Sequence, residues 1–214
     1  MKSYKLNLKV IIAAVGVLSL FIFSALLVIT KNAELESLGE ILLHYGLIIA
    51  PISILWAILD LYLWHTRLFQ VMHKALNIPP DLRGRWEGVL ENADGSQSQK
   101  FVVEIHQTLI NLKVHSFSSI GHSKSILCEI ASSEDEDNFT LCYLWQGEIH
   151  TSIKDIHQNE RFYGYTMLDL HAHESPKALK GSYFTNRRSG QSRGGIHVKW
   201  VSREMKKRWN DNNL

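Results

Sequence analysis

The sequence predicts a membrane-anchored all-β protein, with two N-terminal transmembrane α-helices followed by a cytoplasmic eight-stranded up-and-down antiparallel β-barrel. Three observations predict it. Residues 10–29 and 41–63 are apolar runs, each of at least the roughly 20 residues that an α-helix needs to cross about 30 Å of hydrocarbon. From Gly84 onward the hydrophobic period drops from helical to two, the mark of half-buried strands. Turn chemistry separates the alternating runs, as at Asp94-Gly95, Gly121, Asn159 and Pro176.

The first apolar run has no ionisable residue, and the second has only His44 and Asp60. Lys2, Lys5 and Lys9 precede the first run, and Arg67, Lys74, Arg83 and Arg85 follow the second. The loop between them carries Lys31 against Glu34, Glu36 and Glu40. The positive-inside rule therefore places both chain ends in the cytoplasm and the loop outside, as a multi-pass membrane protein. Trp56, Tyr62 and Trp64 fall where a cytoplasmic aromatic belt would lie. A cleaved signal peptide does not fit, because the run is too long and no small-x-small site precedes Lys31. Asp60 lies about one turn inside the span. It reads either as a side chain reaching the interface or as the partner of a neighbouring subunit.

Residues 65–77 continue as a helix with Leu68, Val71, Met72 and Leu76 on one side, until Pro79 and Pro80 end it. The domains are therefore a transmembrane hairpin with its exit helix, 1–78, and a β-barrel, 79–214. Strands are expected at 84–92, 99–107, 110–117, 122–132, 139–148, 161–173, 179–188 and 194–203. Phe101, Val103 and Ile105 alternate with Lys100, Val102 and Glu104, and Leu141, Tyr143 and Trp145 share one face. Hairpin-linked strands with one apolar face close readily into a barrel, which removes exposed edges. With eight strands the interior holds side chains or one small ligand.

Charge narrows the function. Residues 81–214 carry 17 Lys+Arg against 17 Asp+Glu, yet ten bases between Lys177 and Arg208 face only Glu204. A neutral domain with one basic end suits a small anion and excludes a binder of polymeric nucleic acid. Cys128 and Cys142 read as reduced cytoplasmic thiols without zinc spacing. His171 and His173 share a strand face without a third ligand, while His106, His115, His122 and His197 fall on outward faces. No nucleophile elbow, HExxH or P-loop is present, so no enzyme, catalytic residue, metal or cofactor is expected.

The strongest local pattern is the seventh strand, where Leu179, Gly181, Tyr183, Thr185 and Arg187 share the inner face. An inward Arg needs a partner. Asp169 on the preceding strand is one, and a ligand phosphate held bidentately is the other. The turn Ser189 to Gly195 offers backbone N–H groups and Arg193 to the same anion. Trp86, in Gly84-Arg-Trp-Glu-Gly88, reads as a plug of the barrel end or as a stacking platform for a base. Tyr143, Trp145 and Tyr183 are equally placed for stacking or for the core. Gln107, Ser123 and Ser125 put polar groups on inner faces, either paired to one another or pointing into a cavity. Lys206-Lys-Arg208 reads as a solvated end or as a contact with anionic lipid.

Two spans, a short outer loop and a β-domain opening with Leu82-Arg-Gly-Arg-Trp-Glu-Gly88 resemble the two-transmembrane, β-barrel membrane effectors of bacterial CBASS antiphage systems. The segments Ile105-His-Gln107, Ile110 to Val114, Leu141-Cys-Tyr-Leu-Trp145 and Gly181-Ser-Tyr-Phe-Thr-Asn-Arg187 support the likeness, which covers nearly the whole chain. The resemblance implies a barrel that binds a cyclic dinucleotide made by a CD-NTase cyclase. The spans would then self-associate in the bilayer and compromise the inner membrane. On this reading Arg187 and Thr185 take phosphate, and Tyr183 and Tyr143 stack or wall the pocket. Trp86 stays a candidate platform, Gln107 and Ser125 are base-edge contacts, and Arg188 and Arg193 are peripheral. The alternative is a constitutive tethered barrel for a lipid or apolar metabolite, or an interaction module. It predicts a wholly apolar interior and an Arg187–Asp169 pair.

Overall fold

The computed structural model describes residues 2–3, 16–17, 19–22, 24–25, 38–66, 78–93, 98–119, 121–132, 139–149, 161–171, 173–187 and 190–207. It contains two compact units. One is Lys5–Pro79 with Thr108–Ile110. The other is Met1–Tyr4, Pro80–Gln107 and Asn111–Leu214.

The second unit is the barrel. Its strands are β1 (Lys2–Ser3), β2 (Gly84–Asn92), β3 (Ser98–Gln107), β4 (Leu112–Ser118), β5 (Gly121–Ser132), β6 (Phe139–Ile149), β7 (Arg161–His171), β8 (Ala178–Arg187) and β9 (Gly190–Ser202). From β2 to β9 each strand pairs antiparallel with its chain neighbours, and β9 returns to β2, so eight strands close up-and-down. The two-residue β1 adds only to β5.

Alternation sends Val103 and Ile105 of β3, Val114 of β4, Leu141 of β6, Leu168 of β7, Leu179 of β8 and Val198 of β9 inward, all buried. Trp86 is wholly buried and its Nε1–H donates to the Leu82 carbonyl at 2.9 Å, so it plugs the end where the chain enters β2. Gln107 closes the same end. Its Oε1 accepts from the Leu82 N–H at 2.9 Å, and its Nε2 donates to the Pro80 carbonyl at 2.9 Å.

Most strand boundaries fall within one or two residues of expectation, and two of the shifts bear on function. β4 begins at Leu112 rather than residue 110, because the turn residues before it are held elsewhere. β9 begins at Gly190, so the glycine-rich segment expected as an anion-binding turn is mostly strand. Gly194 is needed there because a Cβ would run into the Glu91 carbonyl of β2.

The outer face of β2 and β3 holds a buried charge cluster. Arg85 is 2% exposed and Glu104 is 0% exposed, and Arg85 Nη1 donates to Glu104 Oε1 at 2.8 Å. Behind β9, the Lys206 N–H donates to Glu104 Oε1 at 2.8 Å, and the Lys207 N–H to Oε2 at 3.1 Å. Lys207 takes the left-handed conformation (φ 54°), and its N–H and that of Lys206 both point at the one carboxylate. The basic tail expected in solvent or on lipid is thus bound to the barrel through its backbone as far as Lys207.

In the first unit, α1 (Leu38–Ile58) runs directly into a π-helical turn, Leu59–Leu63. Trp64, expected in an aromatic belt, is 1% exposed and clusters with Ile78 and Leu109, with Leu59 packed against them. Asp60 accepts from the Ile110 N–H at its Oδ1 (3.0 Å), and its main-chain carbonyl accepts from the Leu109 N–H (3.2 Å). Most of the first expected span and of the exit helix, together with the acidic turn at 134–137, lies outside the described residues. Among the described residues no helix is long and apolar enough to cross a membrane, so the expected anchoring rests on the sequence.

Candidate binding cavity

The barrel is filled at the Trp86 end and hollow at the other. A cavity of about 410 Å³ lies among the ends of β2 and β3, the β4–β5 hairpin, and the facing halves of β6 to β9. That volume falls within the few hundred to a thousand Å³ usual for small-molecule sites.

One wall is aromatic. Trp145 of β6 and Phe162 of β7 meet edge to face, with ring centroids 5.6 Å apart at 82°. The Trp145 Nε1–H donates to Thr166 Oγ1 at 2.9 Å, which fixes the indole plane. The indole lies over Gly164, where a Cβ would collide with it, so the glycine makes room for the ring. Phe101 of β3 and the buried Tyr143 and Tyr183 complete the aromatic surface. Burial pushes the Tyr143 hydroxyl up to about 12, against the neighbouring Ser116 and Thr166 hydroxyls that lower it, so it is a neutral group at physiological pH.

The other wall is hydroxyl-rich. Thr185 of β8 and Ser192 of β9 share a hydrogen bond at 2.6 Å, and the Ser192 N–H adds a second at 3.2 Å. The Tyr183 Oη donates to Asn92 Oδ1 at 3.3 Å. Ser118 and Ser123 extend the polar lining along β4 and β5, and Gln99 extends it along β3. At the rim Glu148 lies 3.2 Å from Arg161 and 3.8 Å from His122. The cavity therefore offers flat π surfaces for stacking, neutral hydroxyl and amide groups for base edges or sugars, and an ionic rim.

Of the predicted site residues, Tyr143, Tyr183 and Thr185 line this cavity. Trp86 and Gln107 do not. They close the opposite end, with the hydrogen bonds given above. Ser125 lies off the cavity as well. Its Oγ accepts the Val114 N–H at 2.9 Å, where the β4–β5 ladder stops short of that pair. Arg193 stands opposite Phe184 on the outer face and is exposed, because Ser192 and Ile196 take the inward positions of β9. The Arg187 backbone ends β8 opposite Gly190. Its side chain, and Arg188 entirely, lie outside the described residues. Asp169, the alternative partner for Arg187, is on the outer face and accepts from Thr140 Oγ1 at 2.6 Å.

Sequence reasoning missed Asn92, Phe162, Thr166 and Ser192, and put His122 on an outward face although it reaches the rim. The inward alternation of β7 was a usable signal for Phe162 and Thr166. Ser192 was hidden inside a presumed turn.

A search of curated proteins returned no match. The family model described as Cap15, cyclic dinucleotide receptor domain, matches residues 77–200, more than half of the chain. The match runs from the approach to β2 to near the end of β9, and so includes every residue of the cavity wall. The cavity is thus the hollow of a cyclic dinucleotide sensor, and the chain belongs to the Cap15 receptor family of CBASS effectors.

Proposed function

We propose that this chain is a membrane effector of antiphage defence, with no catalytic step of its own. A cyclic dinucleotide made by a partner CD-NTase cyclase enters the barrel, and the helices then associate and breach the inner membrane. The observation that carries the reading is the pairing of an aromatic wall with a hydroxyl-rich wall in one cavity of a Cap15 receptor barrel. A cyclic dinucleotide has two bases to stack and a ring of sugars and phosphates to solvate. Arg187 is the phosphate ligand on this reading, since β8 ends beside the Thr185–Ser192 pair that lines the cavity.

Support for the membrane step comes from the apolar run 41–63 and from the exposure of its large side chains. Ile49, Ile54, Leu55, Ile58 and Leu61 are between 41% and 61% exposed. Such a helix needs lipid or another helix around it. The lipid-carrier alternative predicts an apolar interior, and the hydroxyl wall weighs against it.

The test is calorimetric titration of the detergent-solubilised full chain with a panel of cyclic dinucleotides. One member should bind. Phe101→Leu should weaken it by about 1–3 kcal/mol, the worth of one stacked base. Thr185→Val should cost roughly tenfold in Kd, as expected for one lost hydrogen bond. Failure of every member to bind a folded chain sinks the receptor reading. Binding without ligand-triggered leakage of dye-loaded vesicles sinks the membrane step alone.

A further inference from the structure

Asp60 is the one carboxylate in the apolar run 41–63, and it is half-buried. The structure gives it a specific task. Through one side-chain and one main-chain oxygen it holds two successive N–H groups, of Leu109 and Ile110, in the turn between β3 and β4. The Leu109 side chain is anchored beside it, 8% exposed in the cluster with Trp64 and Ile78. Thr108–Ile110 accordingly belongs to the helical unit, although it is chemically continuous with two barrel strands.

Asp60 also lies in the π-helical turn Leu59–Leu63. Such turns are rare and concentrate at functional sites. β3 and β4 run from Asp60's turn to the cavity. Phe101 and Ser118, which pair with each other, line it at the far end of the hairpin, as do Gln99 and Ser116.

We propose that Asp60 is a positioning residue that latches the β3–β4 hairpin to the span, so that ligand entry at one end of the hairpin is transmitted to the helix at the other. The inference rests on the receptor reading above and adds the route by which it reaches the membrane. A ligand wedged against Phe101 and Ser118 changes the curl of β3 and β4. The turn cannot absorb that change freely, because two of its N–H groups and one side chain are fixed to residues 59–64 and 78. The latch is electrostatically sound in an apolar setting, since a carboxylate whose oxygen is matched by a backbone N–H is far less costly than a bare one.

The experiment is hydrogen exchange on the full chain in detergent, with cyclic di-AMP, cyclic di-GMP, cyclic di-UMP and cyclic UMP–AMP each added in turn. The probe that protects the cavity strands should change exchange in residues 59–64 by about fivefold or more in the wild type, at the low end of ordinary coupling. In Asp60→Ala the cavity strands should still be protected with an affinity within about twofold, and the effect on residues 59–64 should fall by about half or more, because the side-chain tether is lost while the main-chain one remains. Asp60→Asn keeps an acceptor oxygen for the Ile110 N–H and should restore most of the effect. Should the alanine variant misfold, Ile110→Pro removes the same bond from the other side, at an exposed turn position, and should lower the effect in the same way.

Equal transmission in the wild type and Asp60→Ala overturns the inference. So does protected cavity strands with no change at residues 59–64, which leaves the receptor reading standing. If no probe protects any cavity strand, the receptor reading fails and the latch proposal falls with it.

Discussion

Glu104 illustrates how much a single side chain organises. It is fully buried on the outer face of β3, where solvent was expected, and it accepts from Arg85 and from two tail N–H groups. Glu104→Ala should destabilise the barrel by about 3–5 kcal/mol, because it leaves the Arg85 guanidinium buried beside a vacated site. Urea unfolding of the variant against wild type checks this, and a cost below about 1 kcal/mol would show that Glu87, which already accepts from Arg85 Nε, compensates the guanidinium by itself. Gly164→Ala should instead leave the barrel folded and tilt the Trp145 indole, weakening nucleotide binding while the unfolding midpoint moves little. At this scale the sequence was partly legible. Inward Tyr143, Tyr183 and Thr185 follow from period two alone. Arg193 did not, because a glycine-rich run shows no strand parity until the register with β8 is known.

At the scale of the element, the β3–β4 pair carries a histidine pair as well as Asp60's turn. His106 and His115 face each other across the strands with ring centroids 5.3 Å apart. Burial pushes both below the ordinary 6.5, and neighbouring Lys113 adds to the shift while Glu104 opposes it. A folded value below the unfolded one means that the unfolded chain takes up protons first. Stability is therefore complete above about pH 6.5 and falls as the pH drops through and below that value. Unfolding midpoints between about pH 7 and 5.5 should show the decline, and His115→Gln should flatten it.

Asp81 has a different window. Burial raises its carboxyl, but hydrogen bonds from Arg83 and Arg203 outweigh that and hold it below the ordinary 3.8. Its contribution is present above that value and is lost only under stronger acid. Strand positions were legible to within a few residues because alternation and turn chemistry agree. The start of β4 was misplaced by two residues, since Ile110 continues the alternation of residues 110–114 but has its N–H bound to a residue fifty positions earlier.

At the scale of the molecule, the two units have opposite surface chemistry. The barrel closes its edges and buries most of its apolar side chains, leaving Ile126, Leu127, Tyr163, Phe184 and Val201 exposed, whereas α1 and the π-turn expose Ile49, Ile54 and Leu61 on the apolar run 41–63. Full-length chain should therefore partition into detergent or vesicles, and a chain starting at Pro80 should stay in the aqueous phase. Ultracentrifugal flotation with lipid distinguishes the two. The division was visible in the sequence as a change of period around Pro79 and Pro80. The cavity was visible only as a possibility, because its existence depends on which interior positions are left unfilled.

The barrel's seam has one more consequence, for synthesis. Every pairing from β2 to β9 joins neighbours in the chain except β9 with β2, whose paired residues Arg85 and Ser202 lie at the two extremes of the domain. Hairpins can form in sequence as the chain emerges, but the seam waits for β9. Until then β2 and β8 have open edges, and Thr185 lacks Ser192 on the cavity wall. A nascent or prematurely ended copy thus carries the apolar run 41–63 while its receptor is still unformed. Such a copy cannot sense a cyclic dinucleotide, so a response to the ligand begins only with a finished barrel.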